Sequence, residues 1–301
     1  MKSSLFCPRS LTSSNAWIGH TPFAAWVISE LKPEVFVELG TYSGNSYFSF
    51  CQSVLENNFL TKCYAVDTWC GDEHGGMYTE KIYDYVKKHN EKFYSNFSQL
   101  LRMPFDNAVD SFQDKSIDLL HIDGFHTYEA VKHDFETWFP KLSDNAVVLF
   151  HDISVYEDNF GVWKFWHELQ CKYPMNLEFL HSHGLGVIAL NADTAKKFKW
   201  LNPDNSDQQV LKKHFSILGQ RQLDKFALIE AQRILAERDT QLAQRDTQLA
   251  QRDTQLAQRD TQLAQRDTQL AQRDTQVISL EQKTSELLDE LTSQTTNLRI
   301  C

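Results

Sequence analysis

What the sequence does not contain narrows the reading first. Six cysteines occur in 301 residues, but none forms a C-x-x-C pair. Scattered at Cys7, Cys51, Cys63, Cys70, Cys171 and Cys301, they offer neither zinc-site spacing nor a disulfide framework, so they read as reduced thiols of a cytoplasmic protein. No stretch approaches the roughly 18 apolar residues of a membrane-spanning helix. Residues 1–30 hold no basic segment followed by an apolar run, so no secretory signal is expected. Basic charge is short too: 30 Lys and Arg against 40 Asp and Glu leave a formal charge of −10. A phosphate backbone is gripped by a basic surface, so nucleic acid is not an expected partner. Core-forming residues are plentiful, with 42% hydrophobic and 12% aromatic.

The chain is organised around residues 35–46, VFVELGTYSGNS. Apolar residues run into Glu38, Gly40 and Gly44 punctuate a turn, and helical spacing follows. That predicts a buried strand, a tight turn and a helix. Glycine at 40 lets backbone approach a ligand, and a helix opening near Gly44 points unpaired N–H groups at the turn. A second apolar strand, CYAVD at 63–67, ends on Asp67, an acid placed to accept both hydroxyls of a ribose. The turn lacks G-x-G-x-x-G, which shifts the expectation from a dinucleotide to a nucleoside without a pyrophosphate, S-adenosylmethionine (SAM).

Strands and helices alternate on either side of this unit. A helical lead-in occupies 1–32. Residues 68–78, TWCGDEHGGMY, read as an active-site loop. Residues 80–97 read as helix, 99–103 as strand, and 177–180 with 187–190 as a closing hairpin. The pattern predicts an α/β, Rossmann-like, doubly wound and mostly parallel sheet. The expected division is a globular domain over 1–200, a linker over 201–221 and a helical tail over 222–301.

Residues 117–123, IDLLHID, and 146–150, AVVLF, predict two neighbouring strands about 4.8 Å apart. Asp123 and Asp152 then reach the same sheet edge. Two carboxylates so close repel unless a cation or proton lies between them. His126 and His151 supply nitrogen ligands or a base, and such a site suits Mg²⁺ or Mn²⁺, with Zn²⁺ and Fe²⁺ as further options. Asp123, Asp152 and His151 are the candidate metal ligands, although His151 could instead hydrogen-bond the strand end. His126 is the candidate general base, because a neutral imidazole can take a hydroxyl proton. His121 reads as a packed core residue, and His133, His167 and His214 as helix-surface residues.

Taken together, VELGTYSGNSYFSF, AVDTWCGDEHGG, DLLHIDGFHTYEAVKHDFETWFPKLS, VVLFHDI and HGLGVIAL resemble class I SAM-dependent methyltransferases. The similar branch is that of the macrocin-type sugar O-methyltransferases and cephalosporin-hydroxylase-like proteins, over residues 5–190. The resemblance implies a seven-stranded sheet with Glu38, Gly40, Thr41, Gly44 and Ser46 at the SAM turn. Asp67 and Thr68 would face the ribose, Met103 or Phe105 the adenine, and Asp123 the reacting end. It further implies a divalent ion on the acids after strands four and five, gripping substrate hydroxyls, with Asp123 serving catalysis beside His126. Those enzymes carry a second acid where this chain has His151. Trp69, Asp72, His74 and Tyr128 are the candidate acceptor contacts, and a glycan or glycosylated metabolite is the implied acceptor.

The tail is of another kind. RDTQLAQ occurs five times unchanged over 238–272, so Leu235, Leu242, Leu249, Leu256, Leu263 and Leu270 share one helix face that Val277 continues. A helix over 222–297 would be roughly 110 Å long at ~1.5 Å per residue. The other core position of each heptad falls on Asp or Arg, half a seam, so a homo-oligomer or a partner helix would be held weakly per repeat. Two other functions compete with the enzyme: a coiled-coil scaffold or length ruler in glycan assembly with a vestigial SAM fold, and a metal-dependent hydroxylase or hydrolase.

Overall fold

The computed structural model describes residues 5–72, 76–157 and 159–297. The chain divides into two compact units, Met1–Ile229 and Glu230–Cys301.

In the first unit, β1 (Val35–Leu39), β2 (Lys62–Asp67), β5 (Ser98–Arg102), β6 (Ile117–Ile122), β7 (Leu142–His151), β8 (Asn176–Phe179) and β9 (Leu185–Ala189) form one sheet. Its order is β5-β2-β1-β6-β7-β9-β8. A two-stranded ribbon, β3 (Gly71–Asp72) with β4 (Gly76–Met77), stands apart. Pairing is parallel from β5 through β7, and β9 runs antiparallel to both β7 and β8. The strand alternation predicts this sheet, and the reversal at β9 follows from the short hairpin that joins it to β8.

The helices α1 (Thr21–Leu31), α2 (Asn45–Asn57), α3 (Glu80–Phe93), α4 (Phe105–Ala108), α5 (Tyr128–Trp138), α6 (Val162–Lys172) and α7 (Ala192–Lys197) complete the unit with the start of α8 (Ser206–Asn297). Successive strand side chains point to opposite faces, so two cores form. Phe36, Leu119, Val147 and Leu149 join the core that contains residues of α1 and α2, while Val37, Leu120, Val148 and Phe150 join the one that contains residues of α5 and α6. This parity decides where the polar strand residues go. Glu38, His121 and His151 fall in step with the first set, and Glu38 lies directly opposite His121 in the β1–β6 register.

Residues 201–221, expected as a linker, are helical from Ser206 onward. Phe215 and Leu218 are buried in the first core, and the Gln208 amide donates to the Asn176 and Trp200 carbonyls. The strand expected at 146–150 extends back to Leu142. From 231 to 293 every described side chain is exposed. In each repeat the threonine hydroxyl donates to the carbonyl four residues back, as Thr240 does to Ala236 at 2.9 Å. Among the described residues, no helix is long and apolar enough to cross a membrane.

Candidate active site

The C-terminal ends of β1, β2, β6 and β7 open onto a cavity of about 610 Å³. That size lies in the range of small-molecule sites. Its floor is the turn between β1 and α2. Gly40 has φ +85°, and a Cβ there would lie 1.9 Å from the Asp123 carbonyl oxygen, so both conformation and space require glycine. Gly44, at φ +85°, starts α2 but does not line the cavity.

The Asp67 carboxylate fastens this turn. Its Oδ2 accepts from the backbone N–H of Thr41 (2.9 Å) and Tyr42 (2.8 Å), and its Oδ1 from Trp69 N–H (2.7 Å). Asp67 also lines the cavity, as do Gly40, Thr41, Ser46, Thr68, Phe105 and Asp123. The Thr41 hydroxyl is buried there without a hydrogen-bond partner. An unsatisfied buried hydroxyl is costly, and a polar ligand would satisfy it. Turn, volume and hydroxyl together fit a nucleoside-type ligand.

Besides Gly44, two expected cofactor residues lie outside the cavity lining. Met103 packs on the core that contains residues of α5 and α6. Glu38 is fully buried, and His121 Nδ1–H donates to its Oε2 at 2.8 Å. Trp17 Nε1–H donates to His121 Nε2 at 3.3 Å, which assigns the neutral Nδ1–H tautomer. Burial raises the Glu38 pKa, with His121 opposing. The Ser46 hydroxyl, on the cavity wall, is within reach of the same carboxyl group.

The opposite wall carries the acids and imidazoles. Asp152 has φ +60°, left-handed backbone that aspartate tolerates better than bulky residues. Its carboxylate accepts from three rings: His126 Nε2 at 2.9 Å, His183 Nδ1 at 3.1 Å and His151 Nδ1 at 3.3 Å. Burial alone would raise the Asp152 pKa, but these imidazoles hold it far below the ordinary carboxylate range.

His151 bridges the two acids, its Nδ1 also 3.2 Å from Asp123 Oδ1, while its Nε2 donates to the Ser182 carbonyl at 3.1 Å. Each hydrogen-bond partner of the ring nitrogens is an acceptor oxygen, so both nitrogens carry hydrogen. Burial opposes that charge, yet the two carboxylates outweigh it and raise the pKa well above the ordinary value. The cation expected between Asp123 and Asp152 is therefore an imidazolium. His151, expected among the metal ligands, directs its two nitrogens to Asp123 and to the Ser182 carbonyl. The donor atoms that do converge, within 4.8 Å of one another, belong to Asp123, His126 and Asp152.

His126 lies against Phe160, rings stacked at 4.7 Å. Burial would lower its pKa, but Asp152 outweighs that and the net shift is upward.

Of the expected acceptor contacts, Trp69 is buried with its indole N–H donating to the Tyr42 carbonyl, so its ring packs inward. The Tyr128 hydroxyl donates to Glu168, outside the cavity lining. His74 lies outside the described residues, and the described structure of Asp72 is limited to its place in β3. Ser14, Trp17, Tyr42, Tyr78 and His183 also line the cavity, beyond the residues expected there. His183 carries a signal in the sequence, a histidine in the turn of the closing hairpin. Ser14 and Trp17 do not, because a long-range bond places them: the Asn45 side-chain amide donates to the Ser14 carbonyl at 2.6 Å.

Comparison with known proteins agrees with this architecture. Residues 37–153, β1 to just beyond β7, match the family model described as a methyltransferase domain. The chain is similar to protein y4gI of Sinorhizobium fredii, 45% identical over 216 residues, 71% of this chain and 24% of that protein. It is 27% identical over 129 residues to a protein of Acanthamoeba polyphaga mimivirus, 40% of this chain and 52% of that one. The chain thus spans about a quarter and about half of these relatives. Among solved structures it is similar to the SAH-bound methyltransferase PaMTH1 of Podospora anserina, at 15% identity, TM-score 0.43, and 56% and 76% coverage of the two chains. It is likewise similar to the O-methyltransferase TomG of Streptomyces achromogenes in complex with SAM, at 10% identity, TM-score 0.43, and 60% and 92% coverage. Residues 37–153 thus match a methyltransferase domain, and a long helix follows the sheet.

Proposed function

We propose that the chain is a SAM-dependent O-methyltransferase whose acceptor is a sugar hydroxyl of a glycan or glycosylated metabolite. The observation that carries this is one cavity with the glycine turn at one wall and the Asp123–His126–Asp152 cluster at the other. SAM, when bound, supplies a methyl group on a positively charged sulfur.

The chain's own residues do the rest. The turn and the Thr41 hydroxyl hold the nucleoside end, and Phe105 offers an apolar wall. Transfer then depends on alignment of the acceptor oxygen. His126, paired with Asp152 through Nε2 at 2.9 Å, is the group we assign to take the proton from the acceptor hydroxyl. Asp152 steadies the imidazolium that forms. Ser14, Tyr42, Tyr78 and His183 supply hydrogen-bonding groups of the kind a polyhydroxylated acceptor needs.

A second reading is favoured by the converging donors. A divalent ion held by Asp123, His126 and Asp152 would polarise the acceptor hydroxyl.

Titration calorimetry with SAM should show one site per chain, and Asp67→Ala, which releases the turn's N–H groups, should abolish binding. Unchanged affinity in that variant would remove the proposal. Transfer to sugar acceptors with and without a chelator separates the two readings.

A further inference from the structure

None of the residues given a role in that reaction lies in the exposed helix beyond residue 230. Leu235, Leu242, Leu249, Leu256, Leu263 and Leu270 are each 55–59% exposed, in one row at intervals of seven. The row continues in phase through Val277, Thr284 and Leu291, and there a second row joins it, Leu280 and Leu287. Spacings of three and four from Val277 to Leu291 make a complete a/d seam. That seam sets the phase of the whole helix. The repeat leucines stand at a, the arginines equivalent to Arg245 at d, and the aspartates equivalent to Asp246 at e.

Little within the helix stabilises it alone. Side chains three or four apart are neighbours on a helix surface, whereas Arg and Asp of each repeat are adjacent in sequence and diverge. Among the described residues, no ion pair lies within the repeats. A helix with an exposed apolar row draws its stability from burying that row.

The charges say against what. Each repeat holds one Arg and one Asp, so two copies meet without net repulsion. In a parallel, in-register pair each d arginine faces the partner's d arginine but also packs beside the partner's e aspartate, which offsets that contact. Only this arrangement sets the two Val277–Leu291 seams against each other; an antiparallel pair sets e against e, aspartate row against aspartate row, and lays each seam on the repeats. Arginine at d also favours two strands, because only at that narrow seam does the guanidinium reach water.

We infer that residues 231–293 form a parallel, in-register, two-stranded coiled coil with a second copy of this chain, held along the repeats by Arg–Asp pairs. The Val277–Leu291 seam pins the register, since identical heptads alone would let the helices slide by seven residues.

Sedimentation of the full chain tests this. The intact protein should have the mass of a dimer at micromolar concentration, and Leu280→Glu with Leu287→Glu should be a monomer with the heat-unfolding midpoint of the globular unit unchanged. Changing Asp246, Asp253 and Asp260 to Arg should weaken association at least tenfold. Mixing that variant with one carrying Arg245, Arg252 and Arg259 changed to Asp should restore it. With the exposed cysteines replaced by serine, Leu280→Cys should form a disulfide with its own counterpart on oxidation. A monomer throughout the micromolar range, a trimer or tetramer mass, no recovery on mixing, or a Leu280→Cys chain that fails to cross-link would overturn the inference.

Discussion

Two imidazole–carboxylate pairs are built from neighbouring strands of one sheet, and they differ in access. Glu38 and His121 face each other across β1 and β6, both fully buried, with Trp17 closing the ring's far side. His126 and Asp152 stand past the strand ends, where the His126 side chain keeps 19% of its surface exposed to the cavity. The same two chemical groups form in the first case a closed internal pair and in the second one that lines the cavity, where the proposed mechanism has it take a proton. Position along a strand makes the difference. A polar residue inside the strand is sealed between sheet and helix, and one just beyond the last backbone pairing reaches the mouth of the sheet.

Breaking the open pair should have the largest effect. Asp152→Asn leaves His126 without its anion and His151 with Asp123 alone, and turnover should fall roughly 10²–10⁴-fold with the circular dichroism spectrum retained. Turnover within tenfold of the parent would mean that the open pair is as inert as the closed one.

Breaking the closed pair should act on folding instead. Glu38→Ala leaves the buried His121 N–H without an acceptor, and denaturant unfolding should report a loss of about 1–3 kcal/mol. The folded fraction should keep a turnover within a few-fold of the parent; a hundredfold drop would give Glu38 a role in the site.

A buried acid without an imidazole partner at hydrogen-bond distance sharpens the contrast. Burial, with Asp106 adding and His133 opposing, raises the Asp134 pKa to about 7. Its folded value exceeds its unfolded value, so its contribution is fully present below about pH 4 and is lost as pH rises to about 7. Asp134→Asn should therefore be near neutral at pH 4 and stabilising by about 1–3 kcal/mol at pH 8, read from unfolding midpoints across pH. An equal effect at both pH values would contradict the assignment.

The smallest effect concerns the opposite wall. Thr41→Val removes one buried hydroxyl, and SAM affinity should fall about five- to tenfold, one hydrogen bond's worth. Affinity that rises would mean that no ligand atom meets that hydroxyl.

Much of the frame is legible in the order of residues. The apolar run ending on Gly40 marks β1, and the short hairpin near 181–186 marks the reversed strand, because strand period and turn chemistry are local properties. Asp123 and Asp152 can be placed at one edge since parallel neighbours end together. The role of His151 cannot, because its charge depends on Asp123, Asp152 and the Ser182 carbonyl, supplied by three separate segments. The inward packing of Trp69 and the bonds from Asp67 back to Thr41 and Tyr42 escape for the same reason. So does the helical start at Ser206, where Phe215 is fixed by a core that lies far away in sequence.

By itself the sequence determined the alternation of strands and helices, the glycine turn and the seven-residue rhythm of the tail, all of which arise from residues close together along the chain. Only the tertiary structure decided which acid meets which imidazole, and hence which rings are charged. Charge state depends on burial and on partners within a few ångströms, and these are brought together by packing.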